Sequence, residues 1–239
     1  VLSFVIPALN ERENIGVCIN AIKRDAITSG NAVQVIVVDN GSTDDTAQIA
    51  EAHGAMVIKE PRRGTNFARQ AGLDNAQCAL VAFVDADSEI VPGFINRAAA
   101  AFAADRDLVC VGARVIYTEP RWLALISFPF FSVVKTVNTV MPTMQATGFV
   151  ARRDALRNAG GFDTSITFYG DDTATARALA KVGKLRIDLG LKVKSSPRRF
   201  YRQGFFSTLY HYWAIGFLGT YLSVGQNDGR CLSVGPAPR

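Results

Sequence analysis

Short apolar runs alternate with stretches of helical spacing through the first half of the chain. Leu2-Ser3-Phe4-Val5-Ile6 is the first run, a strand ended by Pro7. Ile15, Cys18, Ile19 and Ile22 follow at the spacing of an apolar helix face. Asn10 is the expected N-cap of that helix, with Glu13 as its capping-box partner. Val33 to Val38 is a second strand, closed by Asp39-Asn40-Gly41-Ser42, and Thr43-Asp44-Asp45 opens another helix. Ala55 to Ile58 is a third strand, and Arg62-Arg63-Gly64-Thr65-Asn66 leads into a helix carrying Ala68, Arg69 and Leu73. Val81-Ala82-Phe83-Val84 is an unbroken apolar run, the pattern of a strand buried on both faces of a parallel sheet. A helix from Pro92 to Phe102 and a strand over Leu108 to Tyr117 come next. This order predicts an α/β fold with a doubly wound, mostly parallel sheet flanked by helices and joined by right-handed crossovers.

The second half is less regular. Residues 122–151 carry one charge, Lys135, and are interrupted by Pro129 and Pro142. A bilayer-spanning helix needs about 20 mostly apolar residues without such breaks. The stretch reads either as a core helix or as an apolar surface bearing Trp122, Phe128, Phe130 and Phe131 beside a site. Thr147 to Val150 is a further strand, with a helix at Arg153 and a turn at Gly160-Gly161-Phe162-Asp163. A helix bearing Ala176, Leu179, Ala180 and Val182 is ended by Gly183, and Leu185 to Val193 form strands. The expected division is one domain over 1–197, a basic and aromatic helical segment over 198–227, and a loose tail over 228–239. Residues 203–227 are uncharged and rich in aromatics, as an interfacial membrane anchor or an ordinary packed helix would be.

Composition narrows the chemistry. With 239 residues, 49% hydrophobic and 20% charged, the chain has the material for one large α/β domain. Its four cysteines show no CxxC spacing and it has two histidines, which argues against a structural zinc site and a histidine-based triad. Val1 to Ile6 reads as a strand and not as a Lys/Arg-led leader, and scattered cysteines fit a reducing compartment. The expected location is therefore cytoplasmic, at the cytoplasmic face of a membrane if the aromatic segment touches one. Between 181 and 202 lie eight basic residues against Asp188 alone, within a net charge of +5. Such a cluster points to an anionic partner. No nucleic-acid motif accompanies it, which leaves a diphosphate or acidic headgroups.

Carboxylates mark the candidate chemistry. Asp85 and Asp87 close the apolar run at 81–84, and they point the same way if the strand persists. Two aligned acids at the end of a buried strand call for a positive charge between them, and Mg²⁺ or Mn²⁺ carrying a phosphate supplies one. A capping turn before Pro92 is the plainer alternative. Asp39 stands where open α/β sheets place ligand-binding groups. Gly64, with basic neighbours at a helix start, suits an anion. Asp171-Asp172 is a second acid pair, at a helix N-terminus where the dipole alone would favour it.

Together these stretches resemble the family 2 inverting glycosyltransferases of the GT-A fold. The resemblance is carried by Val5-Ile6-Pro7-Ala8-Leu9-Asn10-Glu11, Val37-Val38-Asp39-Asn40-Gly41-Ser42-Thr43-Asp44 and Gly64-Thr65-Asn66-Phe67-Ala68-Arg69-Gln70-Ala71-Gly72-Leu73. It continues through Asp85-Ala86-Asp87, Thr147-Gly148-Phe149, Gly160-Gly161-Phe162-Asp163 and Asp171-Asp172. It implies that Pro7, Ala8, Glu11 and Asp39 hold the base and ribose, and that Gly64 and Arg69 line the nucleotide pocket. Asp85 would face the ribose and share the metal site in which Asp87 coordinates Mg²⁺ or Mn²⁺ on the diphosphate. Asp172 would be the general base, with Asp171 beside it, and Gly148 would open the acceptor-side loop. The implied reaction is transfer of one sugar from a nucleotide-diphospho-sugar donor to a hydroxyl acceptor, lipid-linked or membrane-proximal, with inversion.

The chain departs from that pattern in three places. The usual Glu-Asp pair is Asp171-Asp172, which leaves open which acid is the base. No histidine stands near Ser195-Ser196-Pro197 to complete a metal site; Arg198 and Arg199 could compensate the diphosphate instead. The Gln-x-x-Arg-Trp signature of processive polymer synthases is missing after Asp172, which implies a single transfer. A non-catalytic nucleotide-sugar-binding module of the same fold is the alternative. A dinucleotide-binding enzyme is disfavoured because strand one runs into Pro-Ala-Leu-Asn and not into a Gly-rich loop.

Overall fold

Residues 2–117, 121–138, 141–166 and 171–198 are described by a computed structural model of the chain. The elements run β1 (Leu2–Ala8), α1 (Ile15–Ser29), β2 (Val33–Asp39), α2 (Thr46–Ala52), β3 (Met56–Lys59), α3 (Thr65–Asn75), β4 (Leu80–Phe83) and β5 (Ser88–Ile90). They continue with α4 (Phe94–Ala104), β6 (Leu108–Tyr117), α5 (Arg121–Val137), β7 (Phe149–Arg152), α6 (Arg153–Asn158), α7 (Asp171–Ala180) and β8 (Lys184–Ser195). One eight-stranded sheet has the order β3-β2-β1-β4-β7-β6-β8-β5. β1 to β4 pair in parallel, as do β6 and β8, while β7 and β5 run against their neighbours. The α/β, mostly parallel architecture expected from the sequence is what forms.

Alternation along the strands sends side chains to two cores. Phe4, Ile6, Val35, Val37, Ala82 and Val84 face α1 and α4. Val5, Ile36, Val38, Val81 and Phe83 face α3, α6 and α7. Phe149 stacks on Phe83 at 4.8 Å between ring centroids, and Phe162 meets Phe83 edge-on at 4.9 Å. The phenylalanines of Thr147-Gly148-Phe149 and Gly160-Gly161-Phe162-Asp163 are thus core residues that anchor the loops on either side of β7.

Gly72 is where α3 rests on β1. A Cβ there would overlap Val5 Cγ1 and stand 3.0 Å from Val5 Cγ2. Helix propensity favours Ala over Gly by about 1 kcal/mol, yet Val5 is fully buried and β-branched, so it has little room to yield. Gly72→Ala should therefore destabilise the fold by about 1–3 kcal/mol, as overpacking does. Urea denaturation checks this; a more stable variant would refute the packing argument.

Three expectations are corrected. Pro7 does not end β1, which runs to Ala8. Val5 shares the last register position with β4, at Phe83. Pro7 faces the same side two residues on, where β4 has parted, so its missing N–H leaves no ladder bond unmade. Asn10 is not a helix cap: α1 starts after Asn14, and Asn10 sits at φ 55°. Its Oδ1 accepts from the Thr43 N–H at 2.8 Å, and its own N–H donates to Ser42 Oγ at 3.0 Å. Asn10 therefore stitches the loop after β1 to the loop after β2. Finally, β4 stops at Phe83, so Asp85-Ala86-Asp87 is a turn between β4 and the short β5.

α5 divides the two expectations for the stretch it occupies. Phe131 is buried against Val115 and Ile187, whereas Phe128, Phe130 and Val133 are exposed. The side chain of Trp122 lies outside the described residues. Among the described residues no helix is long and apolar enough to cross a membrane. Apart from Arg198, the segment assigned to 198–227 and the tail over 228–239 also lie outside them.

Candidate active site

The C-terminal ends of β1, β2 and β4 open on one edge of the sheet, as parallel strands do at a ligand crevice. Antiparallel β7 starts at that same edge, which brings Thr147 and Gly148 to it. Gly148 is at φ 79°, and a Cβ would stand 2.5 Å from Val193 Cγ2. Its N–H donates to the Phe83 carbonyl at 2.7 Å, and Thr147 Oγ1 accepts the Asp85 N–H at 3.0 Å. Thr147 and Gly148 thus hold the turn that carries Asp85 and Asp87.

The β2 end is built around Asp39 and Asn40, both buried. Asp39 Oδ1 accepts the Ser42 N–H at 2.8 Å. Asn40 Nδ2 donates to the carbonyls of Glu60 and Arg62 at 2.9 and 2.7 Å, and its Oδ1 accepts the Gly64 N–H at 2.8 Å. Asn40 therefore positions Gly64, which caps α3 at φ 137°. Sequence reasoning missed that role; the signal was an amide beside Asp39 at a strand end. It also missed Glu60, whose carboxylate takes Arg62 in a two-point pair at 2.8 and 2.7 Å. Those hydrogen bonds from Arg62 pull Glu60 down to about 2. Asn66 is a third omission: buried in α3, it donates to the Asp163 carbonyl at 2.8 Å and ties α3 to the loop before α7.

Asp85 and Asp87 do not point the same way. Asp85 accepts Arg69 Nη2 at 3.3 Å, and Arg69 Nη1 reaches Asp171 Oδ2 at 2.5 Å. One arginine in the middle of α3 therefore joins the two acid pairs that the sequence placed 86 positions apart, at Asp85 and Asp171. Arg69 is 4% exposed, and its Nε has no partner among the described residues. Burial works against its charge, and Asp171 and Asp85 more than offset that, so its pKa is raised. Such a side chain is committed to two carboxylates inside the fold.

Asp87 turns to the other side. Arg198 Nε and Nη2 lie 3.1 and 2.9 Å from Asp87 Oδ2, and Arg198 Nη2 also pairs with Glu11 Oε1. Burial and the nearby Asp85 push Asp87 above the usual carboxylate range, while Arg198 pulls the other way. Glu11 is held by its own N–H to Thr46 Oγ1 at 2.8 Å and by Asn14 Nδ2 on Oε2 at 2.8 Å.

Asp172 is different from Asp171. Its Oδ1 accepts the Thr173 N–H at 2.8 Å, and among the described residues no Lys or Arg is ion-paired to it. Burial first, then the adjacent Asp171 carboxylate, push Asp172 up to about 7.

Pro7, Ala8 and Asp39 end β1 and β2 at this edge, Glu11, Gly64, Asp85, Asp87, Gly148 and Arg198 stand outside the strands beside it, and Arg69 links Asp85 to Asp171. Arg199 lies outside the described residues. The described part of the basic run, Lys181 to Arg198, is spread out. It is strung along the 12-residue β8, with Lys184 paired to Asp107 at 3.2 Å at one end and Arg198 past the other.

A family profile described as Glycosyl transferase family 2 matches residues 3–160. The chain belongs to glycosyl transferase family 2. An uncharacterized glycosyltransferase of Mycobacterium tuberculosis is 34% identical over 164 residues, 68% of this chain and 72% of the relative. Among solved structures, the mannosyltransferase PcManGT from Pyrobaculum calidifontis, in complex with GDP-Man and Mn²⁺, superposes with a TM-score of 0.70 at 21% identity. The match covers 96% of this chain and 65% of that one. S. aureus TarS in complex with UDP gives a TM-score of 0.65 at 19% identity, covering 84% of this chain and 62% of that one. These likenesses establish that this family 2 glycosyltransferase has the GT-A fold.

Proposed function

We propose that the protein transfers one sugar from a nucleotide-diphospho-sugar to a hydroxyl acceptor with inversion, using a divalent cation and Asp172 as general base. The observation that carries this reading is Arg69. It holds Asp85 on the donor side and Asp171 on the acceptor side with one guanidinium. Asp171 is thereby ion-paired to Arg69, whereas among the described residues no Lys or Arg is ion-paired to Asp172, on which Arg69 acts only through its field. An acceptor hydroxyl is a weak nucleophile, so a carboxylate must take its proton during attack. Asp172, raised to about 7, is suited to that near neutral pH. With a single base on the acceptor side, attack from the face opposite the diphosphate inverts the anomeric carbon in one step.

The donor set fits a hard cation. Asp87 and Glu11 present carboxylate oxygens to one shared positive charge, that of Arg198. Among the described residues no three His, Cys, Asp or Glu side chains form a ready cage. Carboxylate oxygens suit Mg²⁺ or Mn²⁺, which take one or two of them and complete their shell with phosphate oxygens and water. Mn²⁺ and a nucleotide-sugar accompany the PcManGT structure. When bound, the cation would stabilise charge developing on the leaving diphosphate. Asp39, buried at the end of β2 with Oδ1 bound to Ser42, supports the nucleoside role.

The exposed Phe128, Phe130 and Val133 of α5 favour an acceptor with an apolar tail, or one held at a membrane surface. Thr143, past the end of α5, has its Oγ1 3.4 Å from Oγ1 of Thr173, the residue after Asp172.

Incubation with a panel of nucleotide-sugars, Mn²⁺ and hydroxyl acceptors with and without an apolar tail, followed by NMR of the product anomer, tests the reading. The expected outcome is one inverted product. No turnover and no thermal stabilisation by any donor would overturn it. Asp87→Asn should weaken Mn²⁺-dependent binding of UDP or GDP by more than the roughly 10–100-fold that losing an outer-shell partner costs a metal site. Calorimetry with and without Mn²⁺ checks this; an unchanged dependence on Mn²⁺ refutes the assignment of Asp87.

A further inference from the structure

We propose that Arg198 is an internal counter-cation that holds the divalent cation's place at Asp87, while also paired to Glu11, until the nucleoside diphosphate arrives. The inference rests on the metal-site reading above. Arg198 reaches back 111 and 187 positions along the chain to its two acids. The acids are settled in the fold: the Glu11 and Asp87 side chains are 13% and 17% exposed, against 40% for Arg198. Glu11 is also held without Arg198, by Thr46 on its N–H and Asn14 on its carboxylate, and the backbone that carries Asp87 is tied by its carbonyl to the Ser196 N–H at 3.3 Å. The guanidinium thus lies over two carboxylates carried on backbone that the fold has placed.

Two such carboxylates need a positive charge near them. A guanidinium supplies it but has only N–H donors and no lone pair to give a metal. It therefore cannot share the metal's coordination shell as a ligand. A divalent cation on the Asp87 carboxylate competes with Arg198 for it and is repelled by the like charge, so it binds best when Arg198 leaves Oδ2. The displaced arginine keeps a planar fork of donors matched to phosphate oxygens. It would then pair with the diphosphate that accompanies the cation. Metal alone leaves Arg198 without its Asp87 partner, whereas metal with diphosphate gives it a new one. Arg198 therefore makes the binding of cation and diphosphate cooperative, and by linkage each raises the other's affinity by the same factor.

Substitution at position 198 should move the two affinities in opposite directions. Arg198→Gln should bind Mn²⁺ alone more tightly than the wild type, measured by EPR of free Mn²⁺, by about fivefold or more on the usual scale of such coupling. The same variant should bind UDP or GDP more weakly at saturating Mn²⁺, measured by calorimetry. Arg198→Lys, which keeps the charge without the fork, should fall between the two. Thermal denaturation of each variant confirms that the fold is retained. Unchanged or weaker binding of Mn²⁺ alone by Arg198→Gln overturns the proposal. Asp87→Asn separates the two readings. If it binds Mn²⁺ as the wild type does, the metal site itself is wrong. If it loses Mn²⁺ while Arg198→Gln gains nothing, the metal site stands and the counter-cation does not.

Discussion

Asp172→Asn should lower kcat by about 10²- to 10⁴-fold, the usual contribution of a positioned general base, while leaving affinity for the nucleotide donor unchanged. Asn keeps the size of Asp172 and an acceptor for the Thr173 N–H but cannot take a proton from the acceptor hydroxyl. The wild-type rate should rise with pH through about 7, because the base acts only when ionised and burial with Asp171 raises it to that value. In the Asn variant that limb of the profile should vanish.

Stability supplies a second check. Asp172 has a folded pKa of about 7 against an ordinary 3.8, so between these values the folded protein binds more protons than the unfolded chain. This group's contribution is therefore fully present at low pH and is lost as pH rises toward 7. Relative to the wild type, Asp172→Asn should be more stable above neutrality than at pH 4. Near-normal transfer by the variant would refute the base assignment, and Asp171→Asn would then become the variant to measure.

Arg69→Met should be the most destabilising single change at the site. Removing one partner of a buried pair leaves an uncompensated charge and costs about 3–5 kcal/mol. Arg69 is buried and serves two acids, whose side chains are 36% exposed at Asp85 and 19% at Asp171. Water reaches Asp85, so the lower end of that range is expected. Activity should fall as well, because Asp171 would lose its ion-pair partner and Asp172 the nearby positive charge that favours its ionised form. Arg69→Met with Asp171→Asn should recover part of the loss, since the second change removes the stranded charge, and a double-mutant cycle reads that coupling directly. A loss no larger than the roughly 0–1 kcal/mol of an exposed ion pair would show that Arg69 is not the buried tie described here.

Local pattern made most of the fold legible. The run at 81–84 is central in the sheet and buried on both faces, because an unbroken apolar strand has no face to give to water. The helical spacing from Ile15 to Ile22 lies on the inner face of α1 for the same reason. Misreadings arose where a residue type serves two purposes. Asn10 stands just ahead of a helix as a cap would, but Ser42 and Thr43 offered it closer partners from the next loop. Pro7 breaks strands where both neighbours are paired, and here β4 had already turned away.

The sequence by itself determined the order of elements, the family and which residue types could do the chemistry, since these depend on spacing along one dimension. Tertiary structure decided how the charges are shared. Arg69 meets acids 16 and 102 positions away, and Arg198 meets acids 111 and 187 positions away. Those distances collapse because β4, β7, β6 and β8 lie side by side in one sheet. Coulombic pairing follows separation in space, so no local pattern could say that Arg69 would be ion-paired to Asp171 and, among the described residues, no Lys or Arg to Asp172.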